Sequence, residues 1–410
     1  MTFARAAGAP PGASPWLAPA RAIEADLVAW RRHLHRHPEV AFEEHATTAF
    51  LAAEVERMGL GAVRRTPTGL WVDLDGQAAG PGRRVLVRAD IDALPLAEAT
   101  NLPFASERPG VAHACGHDAH AAMALGCLRL LSAARGRLVG GVRVVFQPAE
   151  EAPPGGARQM IEAGVLEGVA VAIGLHVFAV VPGGWRATGQ ASIAVGPAAA
   201  RSAAFRLVLR GRGGHGAAPQ DSVDAIAVAA RTVDALQHVV SRSVDPLRPA
   251  VLTVGTIRGG FAPNVLAATV ELGGTVRTFD AATEDRVLAR LAAVARETAA
   301  AFGAAAEVEV VEGYPALVND AATAAVLGQA AAAVLGARGV HPSGPVTQSD
   351  DFARYAERVP AALLWLGAGD PARGSAVANH DPRFSADEAA LPLGAAVLAE
   401  AVERLARATA

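Results

Sequence analysis

The sequence predicts an α/β fold: a mostly parallel central sheet with flanking helices, interrupted by an inserted α+β domain of ferredoxin-like order. Three observations carry this. Short apolar runs alternate with helical periodicities in the first and last parts of the chain, the pattern of a parallel sheet covered by helices. The middle of the chain changes to the order βαββαβ. At 410 residues the chain exceeds a usual single hydrophobic core, which favours two domains.

The elements follow in order. Residues 1–20 are rich in Ala, Pro and Gly and read as a flexible tail. Ile23, Leu27, Trp30 and Leu34 recur at helical spacing, so a helix is expected over 21–37, closed by Pro38. A second helix is expected over 43–58, ended by Gly59. Buried strands are expected at 85–89, 142–146, 169–175 and 361–366, with helices at 118–134 and 159–164. In the middle, strands are expected at 204–210, 251–257, 268–278 and 306–311, with helices at 223–241 and 283–302. The catalytic domain is therefore placed at 21–190 and 317–410, and an inserted lid or dimerisation domain at 191–316.

Composition excludes several chemistries. All 37 basic residues are Arg, so a lysine Schiff base, pyridoxal phosphate and a Walker phosphate loop are ruled out. A net charge of −3 with mixed signs points to neither nucleic acid nor an anionic membrane as partner. The two cysteines, Cys115 and Cys127, make no disulfide framework and fit a cytoplasmic setting. The Ala-rich run 321–335 is too short to span a bilayer.

Every ligand-type side chain of the larger domain falls just past an expected strand. Strand 85–89 runs into Asp90 and Asp92, strand 142–146 into Glu150 and Glu151, strand 169–175 into His176, and strand 361–366 towards Asn379-His380. Between the first two lies His113-Ala114-Cys115-Gly116-His117-Asp118-Ala119-His120, directly before a helix. In a parallel sheet these segments converge at the carboxyl end. Taken singly, a buried Cys, a core His or a solvated Glu pair needs no function. Taken together, sulfur, imidazole and carboxylate form a zinc-type donor set, and adjacent carboxylates supply one ligand and one base. Cys115 as a nucleophile with His117 as base is the competing use, and it leaves the Glu pair, His176 and His380 without a task.

The segments Leu34 to Glu39, Arg88 to Pro95, His113 to His120, Gln147 to Glu151 and Gly213-Gly214-His215 resemble those of the hippurate hydrolase-like amidohydrolases. That group includes the auxin–amino-acid conjugate hydrolases and lies within the wider aminoacylase and metallo-carboxypeptidase family. The likeness runs from about residue 22 to the C-terminus. It implies a binuclear metallopeptidase-type fold and two divalent ions per chain (zinc, manganese, cobalt or nickel), held by Cys115, His117, Glu151, His176 and His380. It also implies Glu150 as general base towards an attacking water, and His215 as the oxyanion donor, within its own chain or across a homodimer. Asn264 and Arg277 would hold the carboxylate of an N-acyl amino acid, although an ordinary strand-surface ion pair is an equal reading of Arg277. Asp90 and Asp92 would orient the ligands.

Departures from the family pattern are Pro219-Gln220, Leu266-Ala267-Ala268 and Gln348-Ser349-Asp350-Asp351-Phe352, all at positions expected to shape the substrate pocket. The expected activity is hydrolysis of N-acyl amino acids to a carboxylic acid and a free amino acid. A dipeptidase or carboxypeptidase is the alternative within the family, and a catalytically silent metal-binding protein is the alternative outside enzymology.

Overall fold

The computed structural model describes residues 14–181, 184–185 and 187–407. The chain forms two compact units. The first comprises Met1–Ala198, Val318–Gly344 and Asp351–Ala410, and the second Ala199–Leu317 and Pro345–Asp350.

An eight-stranded sheet forms the spine of the first unit. Its four central strands, Gly141–Gln147, Arg84–Asp90, Val169–Phe178 and Ala361–Gly367, lie parallel in that spatial order. All four are almost wholly buried, as their continuous Val, Leu and Ala runs require when both faces are covered. Leu70–Asp75 adds an antiparallel strand beside Gly141–Gln147 that the sequence reading did not contain. Helix His117–Ala133 is buried along nearly its whole length, and it packs against helices Glu24–Arg36 and Ala390–Arg407. Among the described residues no helix is long and apolar enough to cross a membrane.

Two expectations are corrected here. The loose tail does not extend to residue 20. Trp16 is buried with its indole N–H donating to Glu403 (2.8 Å), Ser14 donates to Glu400 (2.7 Å), and a helix spans Leu17–Ala22. One large aromatic anchors a segment whose Pro- and Ala-rich composition carries no periodic signal; residues 1–13 lie outside the described residues. The single helix expected over 21–37 is also two helices, Leu17–Ala22 and Glu24–Arg36, because Ile23 leaves helical geometry at φ −107° and ψ 15°.

The second unit holds a four-stranded antiparallel sheet of strands Ala250–Gly259, Thr269–Thr278, Arg201–Arg210 and Ala305–Glu312, in that spatial order. Helices Ala225–Ser243 and Ala281–Ala301 pack against it around Leu207, Leu272, Leu236 and Leu291. Strand, helix, two strands, helix and strand is the split βαβ order. The expected boundary at 191 shifts, because Ala191–Ile193 belongs to the large sheet, pairing with Ala361–Gly367 and with Val340–Pro342. A three-residue strand at a sheet edge has too little pattern to be read from sequence.

Candidate metal centre

The parallel register sets the site. Asp90 and Gln147 lie opposite each other at the ends of neighbouring strands, and His176 pairs with Trp365 one strand further on. Cys115 and His117 come from the turn that opens the long buried helix. Gly116 between them sits at φ +93°, and a Cβ there would lie 2.4 Å from the Val177 side chain. Only glycine lets the chain pass this close to the strand carrying His176.

Two buried networks fix this turn from behind. Asp90, completely buried, accepts from Arg88 Nη1 (2.5 Å) and from His120 Nδ1 (2.5 Å). Burial opposes its charge, but Arg88, His117 and His120 hold it well below the usual carboxylate range. Arg88 also donates to Gln147 (3.0 Å) and Asp351 (2.7 Å). Asp118, in the first helical turn, accepts from Arg31 (3.0 Å) and His35 (2.8 Å). Its pKa is depressed despite burial, by Arg31 first and then by His35.

The histidines divide by what their ring nitrogens do. His120 donates through Nδ1 to Asp90 and accepts at Nε2 from the Val177 amide (2.8 Å), so it has no lone pair left for a metal. His117 donates through Nδ1 to the Asp92 carbonyl (2.9 Å) and side chain (3.1 Å). Its buried Nε2 has no hydrogen-bond partner and faces Asp90 (3.7 Å) and Glu151 (4.0 Å). Against the effect of burial, Asp90 and Cys115 raise its pKa well above the ordinary imidazole value. His176 donates through Nδ1 to the Val177 carbonyl (3.0 Å), leaving Nε2 3.4 Å from Cys115 Sγ. Burial pushes its pKa well down, which favours the neutral ring with Nε2 turned to the Cys115 thiol.

His380 reaches the same place from the C-terminal loop. It holds φ +68°, its amide donates to the Ala114 carbonyl (2.7 Å), and its Nε2 lies 3.1 Å from Glu151. The neighbouring Asn379 carboxamide donates to the carbonyls of Cys115 (2.9 Å) and Val177 (3.1 Å). Cys115 and Glu151 raise the His380 pKa to about 10. Burial, with Glu151 adding to it, pushes the Cys115 thiol up, and a divalent cation between them would have the opposite effect.

These donors fit a metal. Cys115, His117 and His176 bring ligand atoms within 4.8 Å of one another, as do Cys115, Glu151 and His380, and His117, Glu150 and Glu151. The outward-facing Nε2 of His117, oriented by the Nδ1 hydrogen bonds to Asp92, is the arrangement of a histidine ligand held by a carboxylate once a cation displaces its proton. Cys115, His117 and Glu151 each fall in two of these three groups, so the groups overlap and form one continuous cluster of donors. Sulfur, imidazole and carboxylate together select zinc-like divalent ions.

The second unit carries three further expected residues. His215 lies in the two-residue strand Gly214–His215 paired with Val265–Leu266, and Gly216 donates to the Asn264 carbonyl (2.8 Å), so His215 and Asn264 are neighbours. Arg277 is half-buried in Thr269–Thr278, about eight residues past the end nearest Gly211, roughly 26 Å at the usual strand rise. The structure does not bring Arg277 to Asn264. Arg88, Asn379 and Glu44 are residues near the centre to which the sequence assigns no role, because hydrogen bonding to strand ends and loops leaves no spacing signature; Asp351, expected to shape the substrate pocket, instead accepts from Arg88 and Gln147.

The sequence profile of peptidase family M20/M25/M40 matches residues 86–404. An N-acetyl-L-cysteine deacetylase of Bacillus subtilis (strain 168) is 40% identical over 386 residues, 93% of this chain and 89% of the relative. An N-acyl-L-amino acid amidohydrolase of Geobacillus stearothermophilus is 44% identical over 298 residues, 72% of this chain and 79% of the relative. A solved Bacillus subtilis protein, described as a dinuclear metal binding peptidase from the M20 family, superposes with a TM-score of 0.78 at 32% identity, covering 94% of this chain and 99% of its own. With a strand-end donor set of sulfur, imidazole and carboxylate and relatives that span most of its length, the chain belongs to peptidase family M20/M25/M40 and is a metal-binding hydrolase of amide bonds.

Proposed function

We propose that this hydrolase cleaves N-acyl amino acids to a carboxylic acid and a free amino acid, with Glu150 as general base and two divalent ions held by Cys115, His117, Glu151, His176 and His380. The observation that carries the reading is the adjacency of Glu150 and Glu151 at the end of a buried strand, with both carboxylates within ligand reach of His117. When bound, a divalent ion lowers the pKa of water towards neutral and polarises the scissile carbonyl. Glu150, one residue from a ligand, accepts the proton of the attacking water and returns it to the departing amine. Asp90 and Asp92 keep the surrounding imidazoles in register.

His215 is assigned to the oxyanion. Its Nδ1 accepts from the Ala217 amide (3.0 Å), which leaves the proton of the neutral ring on Nε2, free to donate. Asn264 beside it is assigned to the substrate carboxylate, as is Arg277, whose fork suits that group. Asn264 lies in the turn before Val265–Leu266 and Arg277 near the far end of the four-stranded sheet, so a carboxylate held by both would draw them from two chains of a homodimer. One relative named as an N-acetyl-L-cysteine deacetylase and another named as an N-acyl-L-amino acid amidohydrolase favour an acyl substrate over a dipeptide.

The decisive experiment is Glu150→Gln assayed on N-acetyl and N-benzoyl amino acids beside dipeptides. Turnover should fall by about 10²–10⁴-fold while fold and metal content persist. Native-like turnover in that variant removes Glu150 as base, and preference of the native enzyme for dipeptides removes the substrate class.

A further inference from the structure

We propose that Glu44 is a positioning residue for Glu150, gripping the backbone on its N-terminal side; this rests on the reading of Glu150 as general base. Glu44 stands in a polar run, Glu43-Glu44-His45, just before helix His45–Arg57, where an exposed side chain or a helix cap would be unremarkable. It is neither. Its side chain makes no capping hydrogen bond to the helix, and the residue is completely buried.

The carboxyl group goes instead to the base's own turn. Glu44 Oε1 accepts from the Ala149 amide at 2.7 Å. Ala149 is itself completely buried and holds φ +50°, a left-handed conformation that is unfavourable for a non-glycine residue. On the other side of Glu150, the Glu151 amide donates to Asp92 Oδ2 at 2.9 Å. The backbone amides flanking Glu150 are thus each held by a buried carboxyl group, and the two come from different segments of the chain. The Ala149 carbonyl is tied as well, accepting from the Gly156 amide (2.9 Å), where a Cβ would lie 1.8 Å from the Pro148 carbonyl oxygen.

Burying a carboxyl group costs stability unless hydrogen bonds offset it. Here they fix the conformation of the residue preceding the base. A misplacement of a reacting group by about 1 Å can lower turnover by about 10²-fold. Asp92 already orients His117, so the Asp92 side of the turn serves the metal ligands. The Glu44 side touches none of them, and its effect should fall on turnover.

The test compares Glu44→Ala, Glu44→Asp and Glu44→Gln in the metal-loaded, full-length enzyme, measuring kcat, KM and bound metal per chain. Glu44→Ala should lower kcat by about tenfold to a hundredfold with KM and metal content unchanged. Glu44→Gln should recover most of that loss, because its carboxamide oxygen accepts the same hydrogen bond. Glu44→Asp, too short to reach Ala149, should behave like Glu44→Ala and serves as the test if the alanine variant does not fold. A kcat within twofold of native in Glu44→Ala or Glu44→Asp overturns the proposal, as does a loss that follows metal content or one that Glu44→Gln shares in full. If Glu150→Gln is inactive while these variants are normal, only the positioning role falls; an active Glu150→Gln removes the base assignment on which it rests.

Discussion

The two units differ in where their most connected charges sit. In the first, Arg31, Arg88, Asp90, Asp92, Asp118 and His117 are buried and linked in networks behind the candidate site. In the second, the ion pairs Arg206–Glu271 and Arg210–Glu307 lie across the exposed face of the antiparallel sheet. Buried ionic networks are costly to form and hold geometry once formed, whereas exposed pairs are screened by water and salt. The contrast teaches where precision is located. The first unit commits charge to placing side chains around a metal centre, and the second uses charge to keep a sheet surface wet.

That contrast can be broken by mutation. The largest effect is expected for Arg88→Met, which leaves Asp90 and Asp351 buried without their shared cation. A loss of about 3–5 kcal/mol in urea unfolding is expected, and an unchanged midpoint would mean that the network is not holding the first unit.

A smaller, pH-dependent effect belongs to Glu44, whose carboxyl is raised from 4.5 to about 8 by burial first and Asp92 second. Because the folded state keeps this proton more tightly than the unfolded chain, its contribution to stability is fully present below pH 4.5 and lost as pH rises to about 8. Melting of the metal-free protein beside Glu44→Gln should show the native advantage shrinking across that window; a constant difference would contradict it. The smallest effect is expected for Arg210→Ala, whose pair with Glu307 is fully exposed, and no change in Tm should be measurable. A clear drop would mean that the exposed sheet face is not merely solvated.

The legibility of the molecule follows the same division. The four parallel strands were readable because burial on both faces leaves uninterrupted apolar runs, and the site was readable because its donors stand at their ends. Leu70–Asp75 was missed: its run Leu-Trp-Val-Asp-Leu-Asp is short and interrupted by charge, though it is nearly all buried. Glu44 and Asn379 were invisible for another reason. Each acts on backbone amides or carbonyls more than 100 residues away in sequence, and a backbone partner leaves no residue-type signal. Arg277 shows the reverse case, a chemically apt side chain whose position on the strand separates it from the residue it was expected to assist.

One further consequence follows from the loop that brings His380 onto the Ala114 carbonyl. The proposed ligand set is drawn from residues 115 to 380, so a nascent chain emerging from the ribosome carries Cys115, His117 and the glutamate pair long before the last imidazole exists. During most of synthesis the thiol and carboxylates have no complete cage in which to retain an ion. On that ligand set, hydrolytic competence would await synthesis and docking of the C-terminal loop that carries His380.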